Sequence, residues 1–76
     1  MLEWLGVLKE LDLHNIRHTD VEVLVENFSL LNPAPLRIIT GHSPRMKKIV
    51  TSVLDKHSIG YDNQIHEGWI IIRSNI

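Results

Sequence analysis

The sequence contains no cysteine and only four aromatic residues of the Phe, Trp and Tyr types. Without cysteine there is no disulfide framework and no thiolate chemistry, and a reducing compartment is allowed. No apolar run approaches the length that spans a membrane. The first residues, Met1-Leu2-Glu3-Trp4, lack the basic start of a secretory signal. We therefore expect a cytoplasmic protein that begins at its natural methionine.

The sequence also lacks an excess of charge of one sign, because its formal net charge is −1. A global attraction to nucleic acid is therefore not indicated. The charge is unevenly distributed, however, with net −4 over residues 1–26, net +4 over residues 27–54 and net −1 over residues 55–76. Taken alone, such a basic segment is typical of a solvated helix face. Its four basic residues are Arg37, Arg45, Lys47 and Lys48.

A chain of 76 residues provides one small domain. Domains of this size bury only about 60% of the surface of the unfolded chain, so the core must be efficient. We predict a single domain over residues 1–76, in which residues 9–76 form the core. Residues 1–8 are apolar, and we expect them to cover an otherwise open part of that core.

Alternation of polar and apolar residues predicts a first strand over residues 9–14. In that strand, Leu11 and Leu13 share one face, and Asp12 and His14 share the other. Asn15, which directly follows, tolerates the left-handed backbone of a turn.

The next segment predicts an amphipathic helix. Thr19 and Glu22 have the spacing of a capping box, in which each side chain bonds the backbone N–H of the other residue. The segment Asn32-Pro33-Ala34-Pro35 ends the helix. Its predicted apolar stripe consists of Val21, Leu24, Val25, Phe28 and Leu31.

The most informative stretch covers residues 36–48. Its first part is a short apolar run rich in β-branched residues, typical of a strand covered on both faces. Gly41 permits a tight turn, and Ser43 followed by Pro44 predicts a helix N-cap and first helical residue. Free N–H groups and the positive end of a helix dipole attract anions. The stretch therefore predicts a site for a phosphate group.

The second helix places its basic residues outside its apolar stripe and near its N-terminus, where cations oppose the helix dipole. A bound anion would offset that cost. We expect the helix to end near His57, with Gly60 as the break. The predicted stripe consists of Met46, Ile49, Val50, Val53 and Leu54.

Two strands complete the chain: a polar one over residues 61–66 and an apolar one over residues 69–73, joined by a turn at Glu67-Gly68. Alternating strands and helices imply right-handed crossovers and parallel first and second strands, and the short final connection predicts an antiparallel hairpin. The expected fold is α/β, more closely an α+β two-layer sandwich of βαβαββ order. It has a four-stranded mixed sheet and two main helices.

This topology predicts that two polar segments meet at one edge of the sheet. Asp12 and His14 end the first strand, and Thr40-Gly41-His42 follows the second. The carboxyl ends of parallel neighbours share an edge, and open α/β sheets bind ligands there.

Together, two segments of the chain resemble the Smr (small MutS-related) domain family. They are Leu11-Asp12-Leu13-His14 and Arg37-Ile38-Ile39-Thr40-Gly41, with a helix opening at Thr19 between them. The family is marked by L-D-x-H and by T-G-x-G or H-G-x-G at about this separation. The resemblance covers roughly residues 10 to 73. It implies a fold like the C-terminal domain of a bacterial translation initiation factor, and binding of DNA or RNA, with nicking or cleavage in some members.

The second motif departs from the family pattern. Ser43 occupies the position of the second glycine, and the glycine-rich loop is shortened to His42-Ser43. A shorter loop offers fewer backbone N–H groups to a phosphodiester. A milder departure is Asn15, which stands where glycine is common.

Asp12 and His14 are the expected catalytic residues. An imidazole titrates near neutral pH and suits proton transfer, and Asp12 would orient it or hold a hydrated Mg²⁺ ion. Alternatively, Asp12 only bonds the neighbouring turn and holds the two strand ends together. The residues expected to bind phosphate or nucleic acid are Thr40, Gly41, His42, Ser43, Arg45, Lys47 and Lys48.

The remaining histidines and aromatic residues indicate no further site. The spacing of the histidines fits no zinc pattern, so we expect no structural metal. We expect Trp4, Trp69 and Phe28 to lie in the core and Tyr61 to be exposed. Base stacking on a single strand is therefore not expected.

Three functions remain open on the sequence alone. The first is a nucleic-acid-binding domain that acts as a nicking endonuclease or ribo-endonuclease, and so as a hydrolase. The second is a non-catalytic protein-interaction module that keeps the Smr fold and contacts a partner or a second copy. The third is a site for a small phosphorylated ligand, although no glycine-rich nucleotide motif is present.

Overall fold

Strands and helices alternate in the predicted βαβαββ order, which confirms the α+β class. The computed structural model describes residues 9–63 and 68–74. Expectations for residues 1–8, 64–67 and 75–76 lie outside the described residues. In the described part of the chain, no helix is long and apolar enough to cross a membrane. The elements are β1 (Lys9–Asp12), α1 (His18–Leu31), β2 (Leu36–Ile39), α2 (Pro44–Lys56), β3 (Gly60–Asn63) and β4 (Trp69–Ser74).

The four strands form one mixed sheet in the order β1-β2-β4-β3. β1 and β2 are parallel, and β4 is antiparallel to both of its neighbours, β2 and β3. In this register Asp12 is opposite Ile39, and Ile39 is opposite Trp69. The predicted parallel first pair and antiparallel last pair are therefore confirmed.

Both helices pack against each other and against one face of the sheet. Alternate residues of β2 and β4 are buried beneath them, as the period of two in a strand requires. The buried core consists of Leu13, Val21, Val25, Leu36, Ile38, Met46, Val50, Val53, Leu54, Ile59, Ile70 and Ile72.

The other face of the sheet carries no helix of the described part of the chain, and we call it the open face. It holds Arg37 and Ile39 of β2 and Trp69 and Ile71 of β4, all of which are partly exposed. The prediction that β2 is covered on both faces was therefore wrong. Both crossovers pass on the same side of the sheet, so the apolar run of β2 is buried on that side only.

β1 is shorter than predicted and ends at Asp12. Leu13 is nevertheless fully buried, and its N–H donates to the carbonyl of Ile39 at 2.9 Å. Asn15 has a φ of 65°, as the predicted left-handed turn requires.

The start of α1 differs from the prediction. The helix begins at His18 and the N-cap is Arg17, with no side-chain hydrogen bond to the cap. Thr19 already lies inside the helix, so the predicted capping box with Glu22 does not form. The N-cap is the residue at which the backbone changes from extended to helical. That residue is Arg17, two positions before the expected Thr19.

The end of the apolar stripe of α1 also differs from the prediction. The buried positions are Val21, Val25 and Ser29, and Leu31 is 77% exposed. At 100° per residue, Leu31 lies about 120° from the centre of this buried stripe, so it turns away from the core. The Ser29 hydroxyl is buried at no hydrogen-bonding cost because it donates to the carbonyl of Val25.

α2 follows its prediction closely at its N-terminus. The Ser43 side chain accepts a hydrogen bond from the Met46 N–H at 3.2 Å, and Pro44 is the first helical residue. The break after the helix was assigned to the wrong residue, because Ser58 takes the left-handed conformation with a φ of 57°. Gly60 instead begins β3.

Candidate functional site

The carboxyl ends of β1 and β2 meet at one edge of the sheet. We call this edge the rim and define it as residues 12–14 and 40–45. A Cβ atom added to Gly41 would lie 3.5 Å from His14 Nε2. The two segments that sequence analysis paired are therefore in contact, on the same edge, as the parallel topology predicted.

Asp12 and His14 form a small polar pair at the end of β1. The Asp12 carboxylate oxygen Oδ1 accepts a hydrogen bond from the His14 backbone N–H at 2.9 Å. The same oxygen lies 3.5 Å from His14 Nδ1, and both side chains are more than half exposed. Asp12 thus holds the turn after β1 and also lies beside the imidazole, so the geometry accommodates both roles that the sequence left open.

The turn at Thr40 and Gly41 is held from inside the protein. Gly41 has a φ of 71°, in the left-handed region that favours glycine. The backbone N–H groups of Thr40 and Gly41 both donate to the carbonyl of Gly68, at 2.9 and 3.0 Å. Thr40 is buried and its hydroxyl donates to the Gly41 carbonyl at 2.8 Å. Thr40 and Gly41 therefore shape the rim, because both backbone N–H groups and the Thr40 hydroxyl already donate hydrogen bonds within the protein.

The groups that face outward come later in the turn. His42 is exposed at the rim. Among the described residues, the backbone N–H groups of His42 and Arg45 have no acceptor within hydrogen-bond distance. The Ser43 hydroxyl caps α2 and is therefore engaged. These two N–H groups, together with the N-terminal end of the α2 dipole, are what the rim offers to an anion.

The four basic residues of the central segment do not form one patch. Arg45 and Lys48 are exposed on α2 and line a groove of about 440 Å³ that also touches Glu22 of α1. Lys47, on the same helix, is partly buried. Arg37 lies on the open face of the sheet, where its Nη1 is 2.6 Å from Glu10 Oε2. The positive charge near the rim therefore comes from α2 and not from β2.

Within residues 9–63 and 68–74, no group of three His, Asp or Glu side chains could hold a metal ion. Mg²⁺ prefers oxygen ligands in octahedral geometry. Asp12 is the only carboxylate at the rim as defined here, so these residues do not provide a protein cage for the ion.

Gly68 supports the Thr40–Gly41 turn, whereas sequence analysis treated it only as a turn of its own. Its carbonyl accepts both hydrogen bonds from the Thr40–Gly41 turn, and a Cβ at Gly68 would lie 3.4 Å from the Gly41 Cα. Its importance depends on a contact across 27 residues of sequence, so no local pattern could have revealed it.

The predictions for Trp69 and Tyr61 were both wrong. Trp69 lies on the open face outside the buried core, and the Arg37 guanidinium lies 5.3 Å from the centre of its ring. Tyr61 packs against the core and its hydroxyl donates to Asp55 at 2.9 Å. Burial and this hydrogen bond raise the pKa of the Tyr61 hydroxyl.

The sequence did contain an indication that Trp69 lies outside the core. In the alternation of β4, Trp69 shares a face with the charged Arg73. The core prediction for Phe28 is confirmed, since it packs on the core cluster, and Trp4 lies outside the described residues.

Comparisons with models of known protein families, with curated proteins and with solved structures find no match for this chain. The fold defines the class as an α+β two-layer domain with a polar rim.

Proposed function

We propose that this chain is a nucleic-acid-binding domain of the Smr type, which binds the phosphate backbone of DNA or RNA at the rim. The observation that carries the proposal is the contact between the two motif segments. His14 Nε2 lies 3.5 Å from the Cβ position of Gly41, and Asp12 lies 3.5 Å from the other ring nitrogen. The group proposed to transfer a proton and the turn proposed to bind an anion therefore adjoin at an exposed edge.

Binding would use the groups of the rim that still have free donors. The N–H groups of His42 and Arg45 would donate to a phosphate oxygen, at the end of α2 where the helix dipole favours negative charge. The exposed cations Arg45 and Lys48 would contact neighbouring phosphates. Phosphate contacts of this kind carry little sequence information, so we propose binding with low sequence specificity.

Cleavage is the second part of the proposal. The His14 imidazole would accept a proton from the attacking oxygen, either water or a ribose 2′-hydroxyl, as that oxygen bonds to phosphorus. The bond from phosphorus to the leaving oxygen breaks, and the leaving oxygen takes a proton from solvent. Asp12 would hold the imidazole in position. The N–H groups of the turn would stabilise the charge that develops on the phosphoryl oxygens. This part would make the domain a phosphodiester-cleaving endonuclease.

Fluorescence anisotropy with labelled single-stranded and duplex oligonucleotides, at several salt concentrations, tests binding. Lys48→Ala should weaken binding and reduce the slope of log affinity against log salt by about 1, because one phosphate contact is lost. Lys9→Ala is the matched control, because Lys9 is exposed at the amino end of β1, opposite the rim. Absence of binding at low salt, where phosphate contacts are strongest, would refute the proposal.

Cleavage is tested with the same oligonucleotides, with and without Mg²⁺. His14→Ala should abolish cleavage and leave affinity within a few-fold of the wild type, because the ring transfers protons and contributes little to binding. Asp12→Ala should reduce cleavage less, because it removes only the group that positions the ring. Cleavage that survives His14→Ala unchanged would remove the catalytic part and leave the binding part standing.

A protein-interaction module is the second candidate function, and the groove beside α2 favours it. Its lining includes the apolar residues Ile49 and Val53 and the cations Arg45, Lys48 and Lys56, of which Lys56 is paired with Glu22. An apolar lining together with cations suits an acidic partner with an apolar side chain. Under this alternative, sedimentation would show a mass that rises with concentration or with an added partner, and His14→Ala would change nothing.

A further inference from the structure

The open face carries an aromatic side chain directly beside the rim. Trp69 follows Gly68, whose carbonyl holds the Thr40–Gly41 turn. In the register of the sheet, Asp12, Ile39 and Trp69 form one row across β1, β2 and β4. With strands about 4.8 Å apart, Trp69 lies roughly 10 Å from the end of β1. A ligand bound at the rim is therefore within reach of the indole.

The indole is presented in a defined orientation. The Arg37 guanidinium lies 5.3 Å from the ring centre, and Glu10 fixes that guanidinium through a 2.6 Å ion pair. Trp69 is partly exposed and lies outside the core cluster. A cation held against an aromatic ring is a favourable arrangement, and a further flat group can extend it.

The charges on the two sides of the rim differ in sign. On the helix side, Arg45 and Lys48 are exposed on α2. On the open face, counting only residues 9–63 and 68–74, the carboxylates of Glu10, Asp12 and Asp62 outnumber the two arginines, and Arg37 and Arg73 are each paired with one of them. A phosphate is therefore favoured towards α2 and disfavoured over the open face.

We propose that Trp69 stacks on a nucleobase of a single-stranded nucleic acid whose phosphate is bound at the rim. The strand crosses the rim with its backbone towards α2 and a base turned onto the open face, which is the orientation that the charges impose. A duplex cannot make this contact, because its bases are already stacked on each other. The proposal rests on the proposed function and names its substrate class as single-stranded.

The test compares Trp69→Leu and Trp69→Phe with the wild type. The ligand is an unstructured oligo(dT) or oligo(rU) of about twelve nucleotides, a length within the usual range of single-strand sites. Trp69→Leu should weaken single-strand binding about 5- to 100-fold, and Trp69→Phe should restore most of it. The salt slope should not change, because no phosphate contact is removed. A blunt-ended duplex of equal charge, which has no unpaired loop, should bind both variants like the wild type.

Tryptophan fluorescence gives a second readout, and it needs no substitution of Trp69. In a Trp4→Phe protein the emission comes from Trp69 alone, and the oligonucleotide should quench it. Circular dichroism and thermal unfolding check that Trp69→Leu is folded.

Several outcomes would overturn the inference. Unchanged single-strand affinity of Trp69→Leu, with binding that still depends on Lys48, refutes stacking and leaves the proposed function intact. Emission that shifts with protein concentration and ignores the oligonucleotide assigns the open face to a second copy of the chain. Emission protected from acrylamide at every protein concentration assigns it to the chain's own residues. If the wild type binds no nucleic acid at all, the inference fails together with the proposed function.

Discussion

At the scale of single residues, the rim depends on Gly41. Its φ of 71° lies in the region that other residues reach only at a cost, and the His14 ring lies in contact distance beside it. The requirement for glycine was predictable from the sequence, because the motif placed a turn between a strand and a helix cap. The contact with His14 was predictable only through the parallel topology, which brings two distant segments together.

Gly41→Ala should lower the free energy of unfolding by about 1–2 kcal/mol, the usual cost of a left-handed conformation in a residue with a Cβ. Urea denaturation measures this change. Gly60→Ala is the matched control, because its Cβ would meet the Ser74 carbonyl oxygen at 3.6 Å, an ordinary contact. An equal effect of the two substitutions would show that the turn does not need Gly41.

At the scale of secondary structure, the two helices differ in how far sequence predicts their starts. Ser43 and Pro44 determine the start of α2 locally, and the structure confirms the cap. Thr19 also had the residue type and spacing of a cap, yet α1 starts at His18, ahead of it. The alternation in β4 puts Trp69 on the same face as Arg73, but that this face lacks the helices follows only from both helices packing on the other side of the sheet.

Ser43→Ala should destabilise the domain by about 1 kcal/mol, because the Met46 N–H loses its acceptor. Such a loss lowers Tm by roughly 4–8 °C in a domain of this size. Thr19→Ala should cost less than about 0.5 kcal/mol, since Thr19 makes no cap bond. Calorimetry on both variants measures the two losses of stability. A larger loss for Thr19→Ala than for Ser43→Ala would contradict the assigned helix start.

At the scale of the whole molecule, a cluster of charges joins α1 to the end of α2. His57 Nε2 lies 2.8 Å from Glu26 Oε2, and Lys56 Nζ lies 3.9 Å from the same oxygen. The hydrogen bond from His57 lowers the pKa of Glu26 below its ordinary value of 4.5, against the effect of burial, which raises it, and Lys56 lowers it further. The ionised form of Glu26 is therefore the one that stabilises the fold.

This cluster predicts a pH dependence of stability. Because the pKa of Glu26 is lower in the folded state than in the unfolded state, its contribution is present above about pH 4.5 and is lost as pH falls through the lower folded value. Urea denaturation at a series of acid pH values should show a smaller loss for Glu26→Gln than for the wild type. Glu22→Gln, which removes the more exposed carboxylate near Lys56, is the control. Identical acid profiles for Glu26→Gln and the wild type would contradict the assigned role.

The central claim is that a nucleic-acid phosphate binds where the two motif segments meet. Amide chemical shifts of ¹⁵N-labelled protein, followed during titration with an unlabelled oligonucleotide at low salt, test it most directly. The account predicts that the largest changes fall on His14 and on residues 41–45, with the amides of His42 and Arg45 foremost. Changes confined to the amino end of the sheet near Lys9, with residues 41–45 unmoved, would contradict it.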